Sequence, residues 1–163
     1  MIKISLASLS LVLVVLIGSV GDAEEEASDP RAGDVDHVGL TVTDLDGSTI
    51  FFTDVLGFEL LRRDEEYPAT FVSNGEVMIS LWRATDPNAA TPFNRKTNVG
   101  LHHLALQVDS FESLDSMYEA LKRADGVRIE FAPEPLRGGP AKHMMFREPS
   151  GNRLELIHRP ATP

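Results

Sequence analysis

The chain has 163 residues, with 15 Lys and Arg against 25 Asp and Glu, a formal charge of −10 and no cysteine. Its acidic average field repels polyanions and no cluster of basic residues stands out, so no nucleic-acid partner is expected. The lack of cysteine excludes a disulfide framework, thiolate metal sites, a thiol nucleophile and a cysteine-borne lipid anchor. Any metal must therefore sit on His, Asp or Glu.

Ile4 to Ile17 is an apolar run preceded by Lys3 and followed by small residues, the layout of a secretory leader. It is shorter than the roughly 20 residues of a membrane-spanning helix, and Gly21-Asp22-Ala23 supplies a small-x-small cleavage site. Residues 1–23 are accordingly expected to be a signal peptide cleaved after Ala23, with an uncleaved anchor as the alternative. On this reading the mature chain is exported, periplasmic or secreted, with no stable membrane span after leader cleavage. Residues 24–33 (EEEASDPRAG) are polar and lack apolar periodicity, so they read as a flexible tether. One domain is expected over residues 34–159.

The domain opens with DHVGLTVTD from Asp36, an alternating strand pattern that begins at a histidine. A helix follows, with apolar Ile50, Phe51, Val55 and Leu56, expected to start at Asp46 and end at Gly57. Three short alternating runs come next: Phe58 to Asp64, Thr70 to Ser73 and Val77 to Arg83, the last two separated by the turn sequence Asn74-Gly75. After a linker at residues 84–100, rich in Pro, Asn, Thr and Ala, the pattern repeats. HHLALQVDS from His102 matches the first strand. Leu114, Met117, Tyr118 and Leu121 then mark a helix at i, i+3, i+4, i+7, with Asp109 and Glu112 as a capping box and Gly126 as its end. Val127 to Phe131, His143 to Arg147 and Arg153 to His158 are the closing strands.

The order strand, helix, three strands therefore occurs twice, in modules of about 34–83 and 101–159. This predicts an α+β fold of paired βαβββ modules forming an incurved eight-stranded sheet around a cavity, because a four-stranded sheet covered by one helix leaves its other face bare. Strand alternation puts Val38, Leu40, Val42 and Leu104, Leu106, Val108 toward the helices. It puts His37, Gly39, Thr41 and His103, Ala105, Gln107 toward the cavity. Glu155, between Leu154 and Leu156, also faces inward, and a carboxylate there is costly to desolvate unless a positive charge meets it. His37, His103 and Glu155 are thus candidate ligands for one divalent metal in a shared cavity. Two imidazoles and a carboxylate suit Fe(II) or Mn(II) in first place, with Zn(II) and Ni(II) also compatible, and leave coordination positions open for substrate.

HVGLTV with FFTDVLGFELL, then HHLALQV, then FREPSGNRLELI, together resemble the vicinal oxygen chelate superfamily, which includes glyoxalase I, fosfomycin-resistance proteins, methylmalonyl-CoA epimerase and extradiol dioxygenases. The resemblance covers roughly Asp34 to Arg159. It implies the paired βαβββ fold and ligands on the first and last strands of each module, at His37, Ser80, His103 and Glu155. Ser80 departs from glyoxalase I enzymes, which carry a carboxylate at that position. A His, His, Glu set with a vacant fourth place is similar to extradiol dioxygenases and fosfomycin-resistance transferases, although the latter carry threonine where Gly39 stands. The resemblance therefore implies a divalent-metal enzyme that binds a small substrate through vicinal oxygens, with dioxygenase-type chemistry expected ahead of glyoxalase I chemistry. Export points the same way, since glutathione and CoA thioesters are not assured outside the cytosol. The alternative is a metal-independent small-molecule-binding protein like the bleomycin-resistance members.

His143 is the expected acid or base, with Tyr67 as a second candidate. Met78, Ser80, Trp82 and Gln107 are expected to line the substrate pocket, with Phe146 beside them. PLRGGPAKH from Pro135 has the glycines of a movable lid, and Arg137 and Lys142 there are candidates to meet an anionic substrate. A homodimer, with modules paired within one chain or swapped between two, is left open.

Overall fold

The first strand shows how the sheet is built: HVGLTV alternates small or polar residues with Val38, Leu40 and Val42, and only the second set turns toward a helix. The computed structural model describes residues 32–161, so the leader and most of the tether lie outside the described residues. The elements in order are β1 (His37–Val42), α1 (Leu45–Ile50) running into a π-helical turn (Phe51–Val55), β2 (Glu59–Asp64), β3 (Ala69–Ser73) and β4 (Met78–Arg83). The second series is β5 (Leu104–Gln107), α2 (Phe111–Leu121), β6 (Arg128–Pro135), a short 3-10 turn (Leu136–Gly138), β7 (Lys142–Arg147) and β8 (Arg153–His158). The paired βαβββ arrangement is present as two four-stranded mixed sheets, ordered β1-β4-β3-β2 and β5-β8-β7-β6. In each, the first strand runs parallel to the last and the rest are antiparallel. Among the described residues no helix is long and apolar enough to cross a membrane.

Both helix starts differ from expectation. Asp44, not Asp46, caps α1, because its carboxylate accepts from Gly47 N at 2.9 Å while its backbone is still extended. Ser110, not Asp109, caps α2 by accepting from Ser113 N at 3.0 Å. Beyond Ile50 the first helix widens, with Leu56 N–H bonding Phe51 O five residues back. The wider turn brings the consecutive Phe51 and Phe52 inward together, where Phe52 meets the rings of Phe51 and Phe58 edge-on at 5.4 Å each.

The helix faces of both modules merge into one core. Leu40, Phe51, Phe52, Ile79 and Leu81 from the first module join Leu114, Met144, Phe146 and Leu154 from the second. Phe146 packs its ring 6.0 Å from Phe51. It is therefore core and not pocket lining, because it alternates with Met145 and so turns away from the face that carries His143. Polar contacts tie the modules as well: the buried Glu148 accepts from Ser48 Oγ at 2.6 Å, and Asn152 Nδ2 donates to Thr41 O at 3.0 Å. With the helix sides packed together, the other faces of β1 and β5 stay open to solvent at His37, Gly39, Thr41, Ala105 and Gln107.

Candidate metal and substrate site

The open face of the second sheet carries the most reactive grouping. In β8, Arg153, Glu155 and Ile157 share one face, and the register sets Ala105 and Met145 on either side of Glu155. His103 stands one residue before Leu104, level with Arg153, while His143 pairs with Ile157. Glu155 is 6% exposed, and its carboxylate is bracketed by two imidazoles. His103 Nε2 lies 3.0 Å from Oε2 and His143 Nδ1 2.5 Å from Oε1. Each contact needs a proton on the facing ring nitrogen, which fixes the tautomer of His143 with its Nε2 as an acceptor. His143 is further held by Phe131, whose ring is 5.1 Å away. The three residues line a pocket of about 470 Å³ together with Leu136, Arg137, Met145 and Arg159. Arg137 adopts a left-handed backbone (φ 51°) at the rim, between Leu136 and Gly138.

His37 does not join them within the chain. It is 47% exposed and hydrogen-bonds Asp36 at 2.6 Å. The hydrogen bond from the second module to β1 is made at Thr41, four residues or roughly 13 Å further along the strand. Among the described residues, no three His, Asp or Glu side chains are grouped as a metal would need them. The expectation that one cavity inside a single chain gathers His37, His103 and Glu155 is thus corrected. The sheets meet through their helix faces, so the two ligand-bearing faces do not close on each other.

The first sheet places Met78, Ser80 and Trp82 opposite His37, Gly39 and Thr41 in parallel register. Ser80 is fully buried, and its Oγ accepts from Trp82 Nε1 at 2.9 Å. A Cβ added to Gly39 would sit 3.4 Å from Ser80 Oγ and 3.5 Å from Trp82 Nε1, so the pair occupies the space above this glycine. Trp82 in turn packs on Tyr67 and Phe71, at 5.2 and 5.5 Å between ring centroids. Tyr67 is a surface residue beside an aromatic cluster, well apart from His143 in the fold. Gln107 is exposed next to Ile157 on the second sheet and does not line the His103 pocket.

A charged group that the sequence reading did not single out lies beside the site. Glu130 accepts from Arg147 Nε at 2.9 Å and from Arg153 Nε at 2.8 Å. Burial opposes ionisation of Glu130, but the two guanidiniums prevail and hold its carboxyl below the ordinary 4.5. A carboxylate with a depressed folded pKa stabilises fully above its unfolded value and loses that contribution as pH falls through the folded one. Glu130→Gln is therefore expected to cost on the order of 3 kcal/mol at pH 7. The gap between wild type and variant in thermal melts should close as pH drops below 4.5; a gap independent of pH would contradict this assignment.

Two βαβββ modules fused through their helix faces, with histidines and a carboxylate on the open faces, define the structural class. The chain belongs to the Glyoxalase/Bleomycin resistance protein/Dioxygenase superfamily, whose model matches residues 34–156. It is 31% identical over 154 residues to a 2-epi-5-epi-valiolone epimerase of an Actinomyces species, covering 81% of this chain and 82% of that one. It is 32% identical over 136 residues to a probable lactoylglutathione lyase of Vibrio parahaemolyticus, covering 77% and 90%. Among solved structures, a glyoxylase/bleomycin resistance protein/dioxygenase domain from Frankia superposes with a TM-score of 0.67 at 29% identity, over 81% of this chain and 96% of that one. A fosfomycin resistance protein from Listeria monocytogenes shares the fold, with a TM-score of 0.63 at 21% identity, over 79% and 95%.

Proposed function

We propose that this protein is a divalent-metal enzyme whose site is completed by a second copy of the chain. The observation that carries this reading is the buried Glu155 carboxylate held between two imidazoles on an open sheet face. His103 and Glu155 together with a further imidazole form a donor set that fits a hard or borderline divalent ion, with Fe(II) or Mn(II) favoured and Zn(II) or Ni(II) compatible. His103 and Glu155 would hold the ion from one chain and His37 from its partner, the fourth place facing the neutral Ser80. Supporting a homodimer are the open faces of β1 and β5, opposite the fused core, and the exposed apolar Val35, Val99 and Leu101 near them. When bound, the ion would supply Lewis acidity to vicinal oxygens of a small substrate.

The chain's own residues supply positioning and proton transfer. With a proton on Nδ1 shared toward Glu155, His143 offers Nε2 as a base to the pocket, and Glu155 keeps the ring in that orientation. Of the reaction types, proton transfer next to a carbonyl is favoured by the relatives named as an epimerase and as lyases. The absence of a carboxylate at Ser80 separates it from glyoxalase I chemistry and leaves His143 as the proton carrier. Ring cleavage of catechols by a dioxygenase is the second reading, favoured by the His, His, Glu set with a ligand-free fourth place. A metal-independent binding role is disfavoured by the same set.

His143→Gln tests the assignment. It is expected to retain metal while lowering solvent-deuterium exchange into an enolisable 2-hydroxyketone by about 10²–10⁴-fold. Catechol cleavage under air, with no deuterium exchange by wild type, would move the reading to the oxygenase. Protein that retains no metal and turns over neither substrate would support the binding role.

A further inference from the structure

Among the described residues a single buried side-chain nitrogen or oxygen has no hydrogen-bond partner, and it is Nη1 of Arg153. The side chain is 5% exposed, so its unmet N–H is an unusual cost that calls for a ligand. Its Nε is spent on Glu130. Arg147 is engaged through Nε on Glu130 and through Nη1 on Phe93 O at 3.2 Å and Gly151 O at 3.3 Å. Two guanidiniums thus share the Glu130 carboxylate, and the next carboxylate on this face, Glu155, is already held by His103 and His143.

Arg153 opens onto a small cavity of about 20 Å³, lined also by Leu40, Phe93, Leu101 and His103. A groove of about 640 Å³ shares Leu40, Phe93, Leu101 and Asn152 with that cavity, and runs between β1 and the linker past Pro87, Pro92 and Val99. One water would fill the cavity and satisfy the N–H. A carboxylate oxygen would accept the same N–H in a bond in which both partners are charged, shorter and stronger than the one water offers.

We propose that Arg153 anchors the carboxylate of a small organic acid, one oxygen on Nη1, with the apolar body of the acid lying in the groove under the linker. Arg153 precedes Glu155 by two residues on the same face, roughly 7 Å along the strand. An acid anchored there lies beside His103, which lines the same small cavity. This makes the substrate of the proposed enzyme an organic acid, an extension that rests on the metal reading, while the binding itself does not.

The test uses chelator-treated full-length protein, with hexanoate and hexan-1-ol as probes in calorimetric titrations. Hexanoate is expected to bind at least about 10-fold more tightly than the alcohol, the strength of a hydrogen bond to a charged group. Arg153→Lys keeps a charge for Glu130 but removes Nη1, and is expected to abolish that preference. Should the variant not fold, NMR of the arginine Nη resonances in wild type replaces it, and hexanoate is expected to shift the Arg153 signal. Equal affinity for acid and alcohol, an unchanged preference in the variant, or an unmoved Arg153 resonance would each overturn the anchor. Metal retention is measured separately, so an anchor that fails in metal-retaining protein fails alone, and one that binds hexanoate in protein unable to retain metal stands alone.

Discussion

Chains carrying Glu155→Gln are expected to lose bound metal and turnover together, and to regain turnover when mixed with His37→Ala chains. Glutamine preserves the shape of the side chain but removes the only carboxylate between His103 and His143. Loss of an outer partner of a ligand typically costs about 10–100-fold in metal affinity, and loss of a charged ligand costs more. Each variant is expected to be inactive alone, because every site in its homodimer lacks one donor. Random reassortment makes half of the dimers mixed, and each mixed dimer holds one site with both His37 and Glu155 intact. Recovery to roughly a quarter of wild-type turnover is therefore expected after unfolding and co-refolding. If His37→Ala alone keeps full metal content and activity, the partner's histidine is not a ligand and the shared site is wrong. If each variant is inactive but the mixture stays inactive, the donors come from one chain.

Glu148→Ala is expected to be the most destabilising single change outside the aromatic core. The carboxylate is 1% exposed and accepts four hydrogen bonds: Ser48 Oγ at 2.6 Å, Ser150 N at 3.0 Å, Asn152 N at 2.9 Å and Asn152 Nδ2 at 3.0 Å. Alanine would leave these donors unmet beneath the turn that starts β8, and would release the link to α1 of the other module. Removing one partner of a buried charged network costs about 3–5 kcal/mol. For a domain of this size that corresponds to a melting point lower by roughly 10–15 °C. Because the same turn precedes Arg153 and Glu155, metal affinity is expected to fall as well. A shift under 3 °C, well below that estimate, would mean that water or Asn152 takes over the role.

The pairing of the modules had a clear trace in the chain. HVGLTV and HHLALQV carry the same alternation, so the faces of both first strands follow from the period of two. That Glu155 turns to the face opposite Leu154 and Leu156 follows in the same way, and the observed register agrees, although that face is open and not turned into a shared cavity. Local signals were less decisive at the helix starts. Asp44, Asp46, Asp109 and Ser110 are all competent caps, and the difference between them is which backbone stays extended at the entry. The π-helical turn left no sequence signal at all, because it is fixed by the need to bury both Phe51 and Phe52.

The sequence by itself determined the order of the elements and the face of each strand and supplied the candidate donors, since these depend on local periodicity and side-chain chemistry. Only the tertiary structure decided which faces meet. The helix sides of the two sheets fuse around Phe51, Phe146 and Leu154, which turns the faces carrying the candidate ligands outward and separates His37 from His103 and Glu155. It also decided the company each residue keeps: His143 on Glu155, Trp82 on Ser80, and Glu130 between two arginines. Such pairings join residues 12 to 23 positions apart, or next-but-one neighbours on a strand face, and they arise from packing free energy summed over the whole core. No local pattern in the chain encodes that sum.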